Sequence, residues 1–250
     1  MNNMLLIDIG NTHTHLGLVR RGKLGRTINL KTTGWKDGTS GIELIKWMGA
    51  FRPEAAALCS VVPAATPAVK AALPASVLSV FELTARTVVG IGIDYPKPAS
   101  IGADRLANAV AARRDYGAPV VVVDFGTAVT FDVVNRAGDY VGGIIAPGLS
   151  AMTNYLHEKT ALLPIVKVRD TTAIIGKSTS EAMLIGAVRG YRGLIKELLA
   201  GLRTELGVRK LPVVLTGGYA GLMAKGLGVE CVVDPLLTLK GVWWAAEARE

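Results

Sequence analysis

Cysteine is almost missing from the 250 residues: only Cys59 and Cys231 are present. Two cysteines make no disulfide framework. Both sit in apolar stretches, "ALCSVV" and "VECVVD", and are expected to be buried small hydrophobes in a chain of a reducing compartment. Aromatic residues are also few, at 6% of the chain. They are not interleaved with the basic residues, which are dispersed apart from short pairs such as Arg20-Arg21 and Arg113-Arg114. The net charge of +8 therefore reads as a solvated basic surface suited to anionic small molecules and argues against a nucleic-acid face. Long apolar runs are absent too. The longest apolar region, residues 55–80, is interrupted by Pro63, Pro67, Lys70 and Pro74, so it reads as strand, turn and helix and not as a membrane span. The opening "MNNMLLIDIG" has no basic region and its apolar run stops at Asp8, so it is not expected to be a secretory signal; a cytoplasmic location is expected. The pattern G-x-x-x-x-G-K-[S/T] occurs nowhere, which argues against a P-loop kinase. "GIGID" (90–94) is followed by no helix and is not a dinucleotide fingerprint. His13 and His15 share a strand face without a third ligand nearby, and His157 stands alone, so no zinc site is expected.

Half of the residues are hydrophobic and 19% are charged. That is enough apolar material for one large domain or two of about 125 residues. Strands are predicted at 4–9, 15–20 and 24–31, with "GNTHT" as the first turn. Helical spacing follows at 39–51, a buried strand at "AAALCSVV", a short helix at 64–73 and a strand at 77–81. A Gly/Pro loop leads into a helix that begins near "GADR" and stops at Gly117. The second half opens like the first: "PVVVVDFGTAVTFDVV" is strand, aspartate, glycine turn, strand. "DYVGGIIAPG" is a strand running into a helix. A long helix is predicted at about 179–206, with Gly186, Gly190 and Gly193 inside it. "LPVVLTGG" is a strand, glycine turn and helix start, and a strand and a closing helix end the chain. The match between Asp8-Ile9-Gly10-Asn11-Thr12 and Asp124-Phe125-Gly126-Thr127-Ala128, about half a chain apart, predicts two related βββαβα-type halves, residues 1–117 and 118–250, facing across a cleft.

The two Asp-x-Gly turns carry the chemistry. Glycine lets the backbone approach a ligand closely. Exposed N–H groups and Asn/Thr side chains can donate to phosphate oxygens. An aspartate at a strand end can serve Mg²⁺, which prefers oxygen ligands and keeps several waters. "LTGG" places Thr216, Gly217 and Gly218 at a helix start, a favourable place for phosphate or nucleoside. In "GADR", Asp104 lies in the first turn of a helix, where the macrodipole favours it. It can also act as a general base, with Arg105 beside it to keep it ionised and to engage an anionic group.

The ordered set "DIGNTHT", "GADR", "DFGTAVTFD", "GGIIAPG", "TALLP", "IGKSTSEAM" and "LTGG", spread over residues 5–242, resembles the type III pantothenate kinases, a Bvg accessory factor-like family. The resemblance implies an actin-like ATPase (sugar kinase/Hsp70/actin-type) α/β fold, a homodimer, and phosphorylation of pantothenate by Mg-ATP in the first step of coenzyme A synthesis. It implies that Asp8, Ile9, Gly10, Asn11, Thr12, His13, Thr14 and His15 form the first phosphate loop, with Asp8 near Mg²⁺. Thr127 would contact ATP, and Asp124 would hold a monovalent cation, K⁺ or NH₄⁺. Gly102, Ala103, Asp104 and Arg105 would contact pantothenate together with Tyr95 and Thr179, with Asp104 as the proton acceptor. Lys97-Pro98 stands where the family often has Asn-Pro. A largely dissociative transfer asks for no raised pKa on the base, because the hydroxyl loses its proton late. A transcriptional regulator on the same fold is the alternative, and an intact set of Asp8, Asp104, Arg105 and Asp124 favours the kinase.

Overall fold

The computed structural model describes residues 3–249. They fall into two compact units. The first takes the chain up to Gly117, then Gly138–Tyr140, then the residues from Leu236 onward. The second takes Ala118–Ala137 and Val141–Pro235.

In the first unit, β1 (Asn3–Ile9), β2 (His13–Arg20) and β3 (Lys23–Lys31) form an antiparallel meander. A 3₁₀ turn at Thr32–Trp35 leads to α1 (Thr39–Met48), which stops at Gly49, a residue at φ +58°. β4 (Ala55–Ser60), α2 (Thr66–Ala71) and β5 (Ser79–Glu82) follow. β4 lies parallel to both β1 and β5, so the sheet runs β3-β2-β1-β4-β5. Its central strands are apolar on both faces, as strands covered by helices must be. Leu5, Ile7, Ile9, Leu16, Leu58, Leu44 and Trp35 form the core. The second strand starts two residues earlier than expected. Ile9 pairs with Thr14 and Asp8 with His15, so the turn shrinks to Gly10-Asn11-Thr12. After β6 (Gly92–Ile93), the helix α3 (Ala103–Tyr116) begins at Asp104's turn and ends at Gly117, as its sequence predicts.

In the second unit, β7 (Val120–Phe125), β8 (Ala128–Val134) and β9 (Asp139–Pro147) repeat the run of three neighbouring strands. α4 (Leu149–Lys159) follows, and residues 160–178 carry no helix or strand. The predicted helix at 179–206 is three consecutive pieces: α5 (Thr179–Ile185), a π-helical turn at Gly186–Gly190, and α6 (Tyr191–Glu205). Glycines bracket the π turn, where the wider spacing needs no side-chain packing against the preceding turn. β10 (Val213–Thr216), α7 (Ala220–Leu227) and the short β11 (Val232–Val233) complete the unit. β10 runs parallel to β7 and β11, and the order is β11-β10-β7-β8-β9. β6 pairs with Asp139 and Tyr140, the first residues of β9, inside the first unit. Val121, Val123, Phe125, Phe131, Tyr191 and Ile195 form the second core. Cys59 is fully buried as expected, whereas Cys231 is only partly so, because it adjoins a two-residue strand with an exposed edge.

α8 (Leu237–Glu247) closes the chain. The sequence places it in the second half, but it clusters with the first unit. It packs on α3 so closely that a Cβ on Gly241 would strike the Ala107 carbonyl. Arg114 stacks 3.7 Å over the Trp244 ring, and Lys240 pairs with Asp115. No helix among the described residues is long and apolar enough to cross a membrane.

Candidate functional site

The first turn is held from beneath. Gly10 N–H donates to the His13 carbonyl at 3.0 Å, and a Cβ on Gly10 would come within 2.9 Å of that same oxygen. Any larger residue would open the turn. Below it lies a buried polar ladder. Trp35 Nε1 donates to Thr14 Oγ1 at 2.8 Å, Thr14 and Thr32 share a hydroxyl bond of 3.1 Å, and Thr32 Oγ1 donates to the Gly10 carbonyl at 2.6 Å. Thr32 N–H closes on the Thr12 carbonyl at 3.1 Å. These bonds satisfy the polar groups of an otherwise apolar core and fix the loop. Asn11, Thr12 and His13 are thereby left exposed at its tip. Of the eight loop residues named from sequence, Ile9 and Thr14 are buried in this support. His15 bonds to Asn29 Oδ1 at 2.5 Å across β2 and β3, and burial lowers its pKa. The sequence singled out none of the supporting residues Thr32, Trp35 and Asn29; a tryptophan in an aromatic-poor chain was the one available signal.

Asp8 occupies the penultimate pair of β1 and is 9% exposed. Across the parallel ladder its partner is Cys59, whose thiol donates to Asp8 Oδ1 at 3.3 Å. Burial pushes the Cys59 thiol well up, and the charges of Asp8 and Asp104 push it further. Two carboxylates therefore act on the end of β4. Asp104 Oδ1 accepts the Arg105 backbone N–H at 2.8 Å. Burial raises its pKa above the ordinary 3.8, against the lowering effects of that hydrogen bond and of the Arg105 charge. Gly102 is needed just before it: a Cβ there would lie 2.6 Å from Asp104 Oδ1 and 3.4 Å from Val61.

Arg105 and Tyr95 share an aromatic neighbour. The Arg105 guanidinium carbon sits 5.8 Å from the centre of the Tyr140 ring, and Tyr95 meets that ring edge-on at 6.2 Å. The sequence does not single out Tyr140. Tyr95 is 37% exposed, so its ring is available to a ligand. The loop before Gly102 is a 3₁₀ turn, Pro98–Ser100, that closes on the Lys97 backbone carbonyl through Ser100 N and Oγ. Those bonds use no side-chain atom of Lys97, so its replacement of asparagine leaves them intact.

In the second unit the corresponding turn is one residue tighter. Asp124 again occupies the penultimate pair, opposite Thr130, and Gly126 N–H donates to the Ala128 carbonyl at 3.0 Å. Gly126 is exposed and Thr127 also reaches the surface. Two glycine motifs press on this turn. A Cβ on Gly148 would strike the Thr127 carbonyl and come within 2.7 Å of the Gly126 carbonyl. Gly217, at φ +84°, has the Asp124 carboxylate and the Phe125 backbone against it. "DFGT", "APG" and "LTGG", far apart in sequence, thus meet around Asp124. Tyr191 Oη donates to the Pro147 carbonyl at 2.8 Å; burial pushes its pKa to about 12, so the donor stays protonated. Ser150 and Tyr219 share a hydroxyl bond of 2.7 Å. Gly217→Ala is expected to cost about 1–3 kcal/mol, from positive φ together with displacement of the carboxylate. Calorimetric unfolding should show a midpoint several degrees lower; an unchanged midpoint would contradict this packing.

Thr179 is the first residue of α5 and is exposed. Ser178 caps that helix by accepting the Glu181 N–H at 3.2 Å, and Glu181 Oε2 accepts from Lys177 N–H at 2.6 Å. This is a variant of the capping box. No group of three or more His, Cys, Asp and Glu side chains able to hold a metal occurs among the described residues.

The family model described as type III pantothenate kinase matches residues 4–201. A type III pantothenate kinase from Akkermansia muciniphila is 48% identical over 242 residues, covering 97% of each chain. One from Methylacidiphilum infernorum is 44% identical, covering 96% of this chain and 86% of that one. Among solved structures, a protein described as a Baf family transcriptional activator from Campylobacter jejuni superposes with a TM-score of 0.64 at 19% identity, covering 98% of both chains. Component A of (R)-2-hydroxyglutaryl-CoA dehydratase from Acidaminococcus fermentans gives 0.55 at 16%, covering both chains in full. At such identities these two report on fold alone.

Proposed function

The chain belongs to the type III pantothenate kinase family, and from that premise we propose that its phosphoryl transfer runs through the turns bearing Asp8, Asp104 and Asp124. It has the actin-like ATPase α/β fold, and it is a kinase that uses ATP and magnesium to phosphorylate pantothenate, the first step of coenzyme A biosynthesis. The observation that carries the site assignment is the half-buried Asp104 carboxylate at the start of α3, which accepts the Arg105 N–H and whose charge acts on the same strand end as Asp8.

In this reading the primary hydroxyl of pantothenate gives its proton to an Asp104 carboxylate oxygen. The hydroxyl oxygen bonds to the γ-phosphorus, the bond from that phosphorus to the β–γ bridging oxygen breaks, and ADP leaves. The chain contributes position and electrostatics, as phosphoryl transfer requires. Arg105 and Tyr95, both packed on the buried Tyr140 ring, orient pantothenate, with Gly102 and Ala103 giving close backbone approach and Thr179 a further contact. Asn11, Thr12, His13 and Thr127 offer N–H and hydroxyl donors to the nucleotide, while Gly10, its N–H spent on the His13 carbonyl, gives the turn its close backbone approach. Ile9 and Thr14, buried beneath the turn, hold the loop, and His15 is tied to Asn29 on the neighbouring strand. Asp8 is a strand-end carboxylate outside any cluster of three metal-ligating side chains among the described residues, a donor set that fits magnesium arriving on nucleotide phosphates with its waters and not a resident metal. When bound, magnesium neutralises phosphate charge. Asp124 and the carbonyls of Gly126 and Thr127 are hard oxygen donors that fit a monovalent cation, K⁺ or NH₄⁺.

A homodimer in the cytoplasm completes the proposal. The apolar side chains of Ile145, Tyr155, Leu162, Ile174 and Ile175 in the second unit, each more than 60% exposed, support it, because soluble monomers seldom leave large apolar surfaces in water. A regulatory role is a weaker reading, supported only by the basic net charge. An acceptor screen with γ-labelled ATP separates the readings. Label is expected in pantothenate and not in hexoses. Label in hexose alone, or no transfer together with salt-resistant DNA binding, would overturn the kinase assignment.

A further inference from the structure

We propose that Cys59 is a positioning residue for Asp8: its thiol donates the hydrogen bond that fixes the Asp8 carboxylate. The inference rests on the reading of Asp8 as the magnesium-side carboxylate. Asp8 and Cys59 are direct partners in the β1–β4 ladder, so their side chains leave the same face of the sheet. The sulfur lies 3.3 Å from Asp8 Oδ1 and is fully buried. The strand end that carries it is clamped. Val61 N–H donates to the Ile9 carbonyl at 3.1 Å, and Ser60 Oγ accepts both Val62 N–H at 3.1 Å and Thr66 Oγ1 at 2.8 Å. A thiol on a rigid strand can direct its hydrogen at one rotamer of the neighbouring carboxylate. A donor bonded to a charged acceptor contributes more than a neutral pair does. Sulfur donates weakly, so the expected effect is moderate. The same strand end also meets the Gly102 turn through Val61, so the donor sits where the two carboxylate-bearing elements converge.

Serine is smaller than cysteine but keeps a donor; alanine is smaller and has none. A cavity would affect both variants, whereas loss of the donor affects only one. The test is the magnesium dependence of binding of a non-hydrolysable ATP analogue, measured by calorimetry without pantothenate. Cys59→Ala is expected to raise the magnesium concentration for half-saturation about fivefold, and Cys59→Ser to stay within about twofold of the parent. Thermal midpoints are expected to fall by similar amounts in both, and if the alanine chain does not fold, Cys59→Val supplies the donor-free arm. Equal magnesium dependence in the donor-free and serine variants would overturn the role of Cys59. Asp8→Asn separates the levels. A loss of magnesium dependence in Asp8→Asn with none in the donor-free Cys59 variant refutes this inference alone. No change in Asp8→Asn refutes the reading of Asp8 as well.

Discussion

Asp104→Asn is expected to lower kcat/KM for pantothenate by roughly 10²–10⁴-fold, the usual contribution of a positioned general base. Asparagine keeps the shape of the side chain and its acceptor for the Arg105 N–H but cannot take the hydroxyl proton. ATP affinity is expected to stay within about threefold of the parent, because the role proposed for Asp104 is on the acceptor and not on the nucleotide. The same substitution should make the fold more stable. Burial raises the pKa of Asp104 in the folded chain. Its stabilising contribution is therefore complete below the unfolded-state value and is lost as pH rises through the folded-state value. Above the folded-state value the ionised, desolvated carboxylate works against folding, and asparagine removes that charge. Thermal unfolding at pH 7 should give a higher midpoint for the variant, with the gain shrinking as pH falls. A fall in both activity and midpoint would mean that Asp104 is a structural residue.

Removing the monovalent cation is expected to have an effect of similar size. With sodium as the only monovalent ion, turnover should drop by about 10²-fold or more and return on adding K⁺ or NH₄⁺, since the charge on the phosphates would lose part of its compensation. Asp124→Asn should lower the parent rate to a comparable level and abolish the response to either ion. Steady-state ADP release across a potassium titration reads both. A variant that still responds to potassium like the parent would place the cation elsewhere than at Asp124.

Much of this architecture is legible in the residues. Both Asp-x-Gly turns, the "GADR" helix start and its stop at Gly117 follow from alternation, capping and glycine placement. So does the equivalence of Asp8 and Asp124, which occupy matching penultimate pairs in their strands. What the sequence hides is what depends on contacts across the fold. Cys59 reads as a small hydrophobe, and only the parallel pairing of β1 with β4 shows that its thiol faces Asp8. Tyr140 lies in a strand of apolar alternation, and its place between Arg105 and Tyr95 depends on the pairing of β6 with the start of β9. Thr14 looks like one more hydroxyl of a phosphate loop until the ladder from Trp35 to Gly10 is seen to consume it. The π turn inside the predicted helix 179–206 leaves the spacing of apolar residues intact, so periodicity alone does not detect it. Asp104 differs in another way. A late proton transfer asks for no raised pKa, yet desolvation at the start of α3 raises that of Asp104 above the ordinary aspartate value.

The pH profile of kcat/KM for pantothenate, taken on the parent and on Asp104→Asn under saturating Mg-ATP and potassium, tests the role of Asp104 most directly. The parent should lose activity in acid through a limb lying above 3.8, the ordinary aspartate value, because the protonated carboxylate can no longer accept the hydroxyl proton. The variant should show a low residual rate without that limb. An Asp104→Asn enzyme with the parent's rate and the parent's acid limb would contradict the assignment of Asp104 as the base.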